Sequence, residues 1–167
     1  MATQGGTTDF ARLIEACESA RPYCLIGGLA VNCYVEPVYT LDVDVVVIAE
    51  HLPKLVSRLE ELGFQIEEHA HSLNALAPGS QLRIQFTTDK RYQAFPARSV
   101  TADVLGLRVQ VASLEDVTQG KLWAYLDPDR RFSKRKKDEL DLIRLAEAYP
   151  ALKSTYPSTV IETIDRG

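Results

Sequence analysis

A chain of 167 residues with 46% hydrophobic and 25% charged side chains has the material for one ordinary domain core, and no multi-domain reading is needed. A net charge of −4 argues against a dedicated nucleic-acid coat while leaving room for a local basic patch. No apolar stretch approaches the ~20 residues of a membrane span, and Met1 leads into a polar run in place of a signal peptide, so the expected location is cytoplasmic.

Asp9 to Ser19 carries Phe10, Leu13, Ile14 and Cys17 at helical spacing and reads as an amphipathic first helix. Tyr23 to Ile26 reads as a short buried strand, broken by Gly27-Gly28 before a short helix over Leu29 to Val35. Such a strand-to-helix break collects free backbone N–H groups at the positive end of a helix dipole, which suits an anion. The plainer reading is a tight turn that needs positive φ.

Thr40 to Ile48 reads as a strand whose apolar run is interrupted by Asp42 and Asp44. Residues alternate faces along a strand, so both carboxylates project from one side and Val43 and Val45 from the other. Like charges a few ångströms apart raise each other's pKa unless a cation lies between them. Mg²⁺ fits, because it takes one or two carboxylates and completes its shell with water and substrate phosphates. The alternative is a solvated first turn of the strand with no such role.

His51 to Leu62 repeats the helical pattern and Gly63 ends it. Strands are expected at 64–68, 71–76, 81–86, 100–105 and 107–111, with Gly106 turning a hairpin between the last two. His69 and His71 would share a strand face, but no Cys or third His accompanies them, and a solvated strand is the favoured reading. Tyr92 and Phe95 either contact a base or close the sheet. Ser113 with Asp116 marks the start of a helix over 113–126, in which Trp123 reads as a packing residue. Leu142, Leu145, Ala146 and Tyr149 form the buried stripe of a last helix that Pro150 stops. Residues 1–150 are thus the expected domain, and 151–167, polar and interrupted by Pro157, the expected loosely docked tail. Cys17, Cys24 and Cys33 lack metal-type spacing and read as reduced thiols.

Arg130 to Lys137 packs six cations into eight positions at the start of that last helix, where the macrodipole disfavours positive charge. A triphosphate or an RNA backbone would offset this, as would local pairing with Asp127, Asp129, Asp138, Glu139 and Asp141. Lys121, mid-helix, is placed to reach a phosphate or simply to lie exposed.

Ile26-Gly27-Gly28, a 13-residue gap and Asp42-Val43-Asp44-Val45, with Thr40 two residues ahead of the first acid, resemble the signature of the DNA polymerase β-like nucleotidyltransferase superfamily. The stretches Ala112 to Leu122 and Lys136 to Leu142 are similar to the helical portion of its small bacterial members, which include nucleotidyltransferase toxins of abortive-infection systems. The resemblance implies an α+β fold, a mixed sheet flanked by helices, and transfer of a nucleoside monophosphate from an NTP to a hydroxyl of an RNA, protein or small-molecule acceptor. It implies Mg²⁺ or Mn²⁺ held by Asp42 and Asp44 as catalytic residues, and a nucleotide contacted by Gly27, Gly28, Thr40 and Lys121 or Lys137. It also implies an antitoxin or a second copy of the chain as partner. Two positions depart from the pattern. Val38 stands where small toxin-like members carry a basic residue, and Gln85 stands where a third carboxylate is expected, with Asp89 four residues on. Gln can accept a hydrogen bond but cannot serve as a base, so the competing expectation is a degenerate module that binds nucleotide or RNA, or a protein partner, without turnover.

Overall fold

The computed structural model describes residues 2–166, with side chains from residue 7 onward. In chain order the elements are α1 (Ala2–Ser19), β1 (Tyr23–Ile26), α2 (Gly27–Val31), β2 (Asp42–Val47), α3 (Leu52–Glu61), β3 (Gln65–Glu68), β4 (Ser72–Leu76), β5 (Arg83–Thr87), β6 (Val100–Val104), β7 (Leu107–Val111), α4 (Leu114–Leu126), α5 (Phe132–Ala148) and α6 (Ser158–Asp165), with short 3₁₀ turns between some of them. The strands form one mixed seven-stranded sheet in the order β3-β4-β5-β2-β1-β7-β6. β2 runs parallel to β5 and β1 parallel to β7, while the other neighbours are antiparallel. The α+β architecture, a mixed sheet with helices around it, is the expected one.

Alternation on β2 decides how the sheet is used. Val43, Val45 and Val47 are fully or almost fully buried, while Asp42 and Asp44 occupy the other face and are only half-buried. Phe10, Leu13 and Cys17 of α1 and Leu55 and Leu59 of α3 belong to the same core. Burial of this kind stabilises by roughly 25 cal/mol per Å² of apolar surface, which is what holds a strand carrying two acids in place. α4 and α5 pack on each other and against α2, leaving the β4–β5–β2 part of the acid-bearing face as the floor of a cleft.

The hairpin expected at Gly106 is formed. Val104 pairs with Leu107, and Leu105 and Gly106 both take positive φ, as a two-residue turn with the right-handed twist of its strands requires. Ser113 caps α4, accepting from the Asp116 N–H at 3.2 Å, while the Asp116 carboxylate turns to Arg98 at 2.9 Å instead of back to the cap. Trp123 packs as expected, stacked on Phe95 and edge-on to Tyr92. His69 and His71 fall between β3 and β4 and not on a strand.

The expected loose tail is corrected. Residues 150–155 form a 3₁₀ turn followed by α6, and Leu152, Tyr156 and Val160 are buried. Tyr156 donates to the Leu142 carbonyl at 2.8 Å, tying the segment to α5. These three apolar residues recur every fourth position in a polar stretch, one in the 3₁₀ turn, one in the extended link and one in α6, and Pro157 stands at the N-cap of α6, where its fixed φ costs nothing.

Candidate active site

The cleft between the sheet floor and the helices encloses about 740 Å³. Its lining includes all seven residues singled out by sequence, Gly27, Gly28, Thr40, Asp42, Asp44, Lys121 and Lys137, together with Gln85 and Asp89. Register brings the first of these together. β1 pairs antiparallel with β2 so that Ile26 faces Asp44, which sets Gly27, the next residue, against that carboxylate. A Cβ on Gly27 would collide with Asp44 Oδ2, and Gly27 also takes a φ of +70°, so both space and conformation demand glycine. Gly28 faces Thr40 with ordinary contact distances. The glycines thus form the first turn of α2 itself, where the sequence suggested a helix beginning at Leu29.

Thr40 Oγ1 accepts the Asp42 N–H at 3.1 Å and so fixes the entry into β2. The loop before it is clamped by Asn32, whose amide donates to the Val38 carbonyl at 2.8 Å and accepts the Val38 N–H at 3.0 Å. Val38 and Tyr39 are exposed at the cleft edge.

The two acids differ sharply. Asp42 is held by Arg83 at 2.6 Å and Lys134 at 2.9 Å. Partial burial works to raise its pKa, but the Lys134 hydrogen bond and the charges of Lys134 and Arg83 outweigh it and hold the carboxyl below its usual value. Asp44 makes no hydrogen bond or ion pair among the described residues. Burial, opposed by the charges of Lys121, Lys134 and Arg130 and helped by that of Asp42, pushes its pKa up to about 6.

Lys121 is buried, not exposed, and pairs with Asp138 at 3.2 Å and Asp141 at 3.0 Å. Burial disfavours its charge, yet the two acids outweigh this and raise its pKa. Arg130 completes Asp138 at 2.9 Å and Arg144 completes Asp141 at 2.8 Å. The basic cluster is therefore divided. Arg130 serves this network, Lys134 reaches Asp42, Arg135 donates to carbonyls at the end of α4, and Lys136 pairs with Glu139. Lys137 lines the cleft without an ion pair among the described residues.

Gln85 lies directly beside Asp44 in the parallel β2–β5 register and beside Asn74 on β4, so the position expected to hold a third acid carries an amide. Asp89 reaches the cleft but pairs with Arg91 at 3.0 Å and caps a 3₁₀ turn. Among the described residues no group of three or more His, Cys, Asp or Glu side chains is gathered to hold a metal. Sequence reasoning missed Arg83 as a partner of Asp42. The strand alternation that puts Arg83 on the face of Gln85 was its available signal.

No protein-family model and no curated protein matches the chain. Solved structures do. The antibiotic-resistance factor ANT(2'')-Ia in solution superposes with a TM-score of 0.60 and 18% identity over 99% of this chain and 99% of that one. A crystal structure of ANT(2'')-Ia with adenylyl-2''-tobramycin gives 0.57 and 17% over 90% and 98%. An antigenic nucleotidyltransferase-like protein from Paracoccidioides brasiliensis gives 0.55 and 18% over 94% and 96%. At these identities the likeness is one of architecture: the chain has the nucleotidyltransferase fold.

Proposed function

We propose that the chain transfers a nucleoside monophosphate from a Mg²⁺-bound nucleoside triphosphate to a hydroxyl of a second molecule. The observation that carries this reading is Asp44, an acid without a hydrogen bond or ion pair among the described residues, beside Asp42, against a glycine and in a cleft where cations outnumber carboxylates. The donor set fits Mg²⁺, being two hard carboxylates from one strand face with open space for water and phosphate. Mn²⁺ would suit the same oxygens. A bound ion supplies neutralisation of phosphate charge.

The residues divide the remaining work. Asp42 and Asp44 would hold the cation, Lys134 giving up its place on Asp42, and Gly27 and Gly28 leave backbone open to the phosphates. Thr40 fixes Asp42, and Lys137 with the released Lys134 takes up triphosphate charge. Lys121 supports from below by keeping α4 and α5 in place. In the transfer the acceptor oxygen bonds to the α-phosphorus as the bond to the bridging oxygen breaks. Pyrophosphate leaves with that electron pair, and the hydroxyl proton passes to water in the open cleft. Positioning and charge neutralisation suffice for such chemistry. The ANT(2'')-Ia complex with adenylyl-2''-tobramycin supports a small-molecule acceptor on this fold. RNA or protein acceptors, and an antitoxin partner, follow from the sequence resemblance.

A second reading, nucleotide binding without turnover, is favoured by Gln85 in place of an acid. Incubation with each α-labelled NTP, Mg²⁺ and cellular RNA, protein and metabolites decides. Label recovered on an acceptor, lost in Asp42→Asn/Asp44→Asn, supports transfer. Label bound by the protein but never transferred supports the second reading, and no binding at all overturns both.

A further inference from the structure

Beyond Asp42 and Asp44 the cleft floor continues across β5 and β4 as Gln85, Thr87, Asn74 and Ser72, side chains that hydrogen-bond but carry no charge. Gln85 is exposed and its amide makes no hydrogen bond among the described residues. At the end of this floor stands Arg91, held by Asp89 through Nε and Nη2 at 3.0–3.3 Å and lying over the rings of Trp123 at 5.2 Å and Tyr92 at 5.7 Å. Its side chain remains 54% exposed. A guanidinium has five donors in a fixed fork, so an arginine oriented on one edge and by its face still offers donors to an anion.

The acids of the cleft point to the same ligand class. Asp42, Asp89, Asp138 and Asp141 are each ion-paired, and Asp44 belongs to the metal pair. An ammonium-bearing acceptor would therefore find no carboxylate to meet it, and would face Arg83 and Arg91. We infer that the β4–β5 floor is the acceptor subsite and takes a phosphorylated sugar, its hydroxyls read by Asn74 and Gln85 and its phosphate by Arg91. The acceptor role rests on the transfer reading above, whereas the binding preference does not.

Calorimetry on the full chain separates the two. With Mg²⁺ and α,β-methylene analogues of the four NTPs, binding of at least one is expected, and its absence would remove both nucleotide readings while leaving the sugar-phosphate preference standing. Ribose 5-phosphate and glucose 6-phosphate, titrated with and without the analogue, should bind at least about tenfold tighter than free ribose and glucose, since charge-assisted hydrogen bonds are roughly twice as strong as neutral ones. The diamino cyclitol 2-deoxystreptamine should not bind. Arg91→Gln and, separately, Asn74→Ala should each weaken the sugar phosphate by about tenfold or more for the charged contact and several-fold for the amide. Affinity for the nucleotide analogue should stay unchanged, with thermal melting confirming that each variant is folded. The inference is overturned if the diamino cyclitol binds as well as the sugar phosphates. It is equally overturned if phosphate confers no preference, if neither sugar phosphate binds, or if both variants keep full sugar-phosphate affinity.

Discussion

Two charged clusters share one cleft and are balanced differently. Between α4 and α5, Lys121, Arg130 and Arg144 meet Asp138 and Asp141 with a partner for every charge. On β2, Asp42 borrows a cation from each of two other elements, and Asp44 has no ion pair or hydrogen bond among the described residues and feels Lys121, Lys134 and Arg130 only through their field. A fully matched buried network fixes the geometry of two helices. An acid left short of counter-charge stores unfavourable energy that a bound cation can release. Sorting the charges by whether the folded chain satisfies them therefore distinguishes the matched helix pair from the candidate site.

The largest effect should come from breaking the matched cluster. Lys121→Met leaves Asp138 and Asp141 short of a buried partner, and removing one member of such a pair costs about 3–5 kcal/mol. Urea unfolding should show this loss, and a near-neutral result would mean that the network is solvated. Asp44→Asn should act in the opposite direction. The folded-state pKa, near 6, lies above the ordinary carboxylate value of 3.8. The folded protein therefore binds the proton more readily than the unfolded chain, and stability falls as pH rises through that window. At pH 7 the whole penalty is present, so the variant should gain up to about 3 kcal/mol. The gain should vanish below about pH 4, while Mg-nucleotide binding is lost. A variant less stable than wild type at pH 7 would show that Asp44 is already satisfied.

How much of this was legible in sequence depended on distance along the chain. Asp42 and Asp44 announced their shared face through strand alternation, and Gly27-Gly28 through a break between strand and helix, both local signals. That Gly27 must be glycine because of Asp44 follows from the Ile26–Asp44 register, which no local window contains. Lys134 was visible only as one of six cations, since its partner lies 92 residues away. The burial of Lys121, against the exposed alternative, was hidden for a related reason: its two acids sit on the following helix, and only the packing of α4 on α5 lets a charged residue lie in the interior. The tail shows the converse failure. Leu152, Tyr156 and Val160 carried a readable period, but the polar residues around them masked it.

Gln85→Asp tests whether the strand site can be completed. The new carboxylate would lie beside Asp44, so without metal the protein should lose stability by like-charge repulsion. Mg²⁺ should restore it, visible as a larger rise in melting temperature than wild type shows. If transfer is limited by the missing acid, the rate should rise by up to about a hundredfold, equivalent to roughly 2.7 kcal/mol of transition-state stabilisation. A vigorous wild-type rate that this substitution lowers would instead show that the chain works with the amide.

The smallest effect concerns Lys137, which tests the same contrast among the cations. Lys136 has Glu139 at 3.2 Å, whereas Lys137, one residue on, has no ion pair among the described residues and lines the cleft. Both lie in the second turn of α5, beyond the first turn in which the helix dipole acts on charge. Removing either should therefore leave stability within about 0.5 kcal/mol of wild type. Function should tell them apart. Lys137→Ala should weaken Mg-NTP about tenfold, the loss of one charge-assisted phosphate contact, and flatten the dependence of affinity on salt, while Lys136→Ala should change neither. Titration of both variants at low and high salt makes the comparison. Equal behaviour would assign Lys137 to the solvated face of α5 and leave Lys134, once released from Asp42, as the cation that meets the triphosphate.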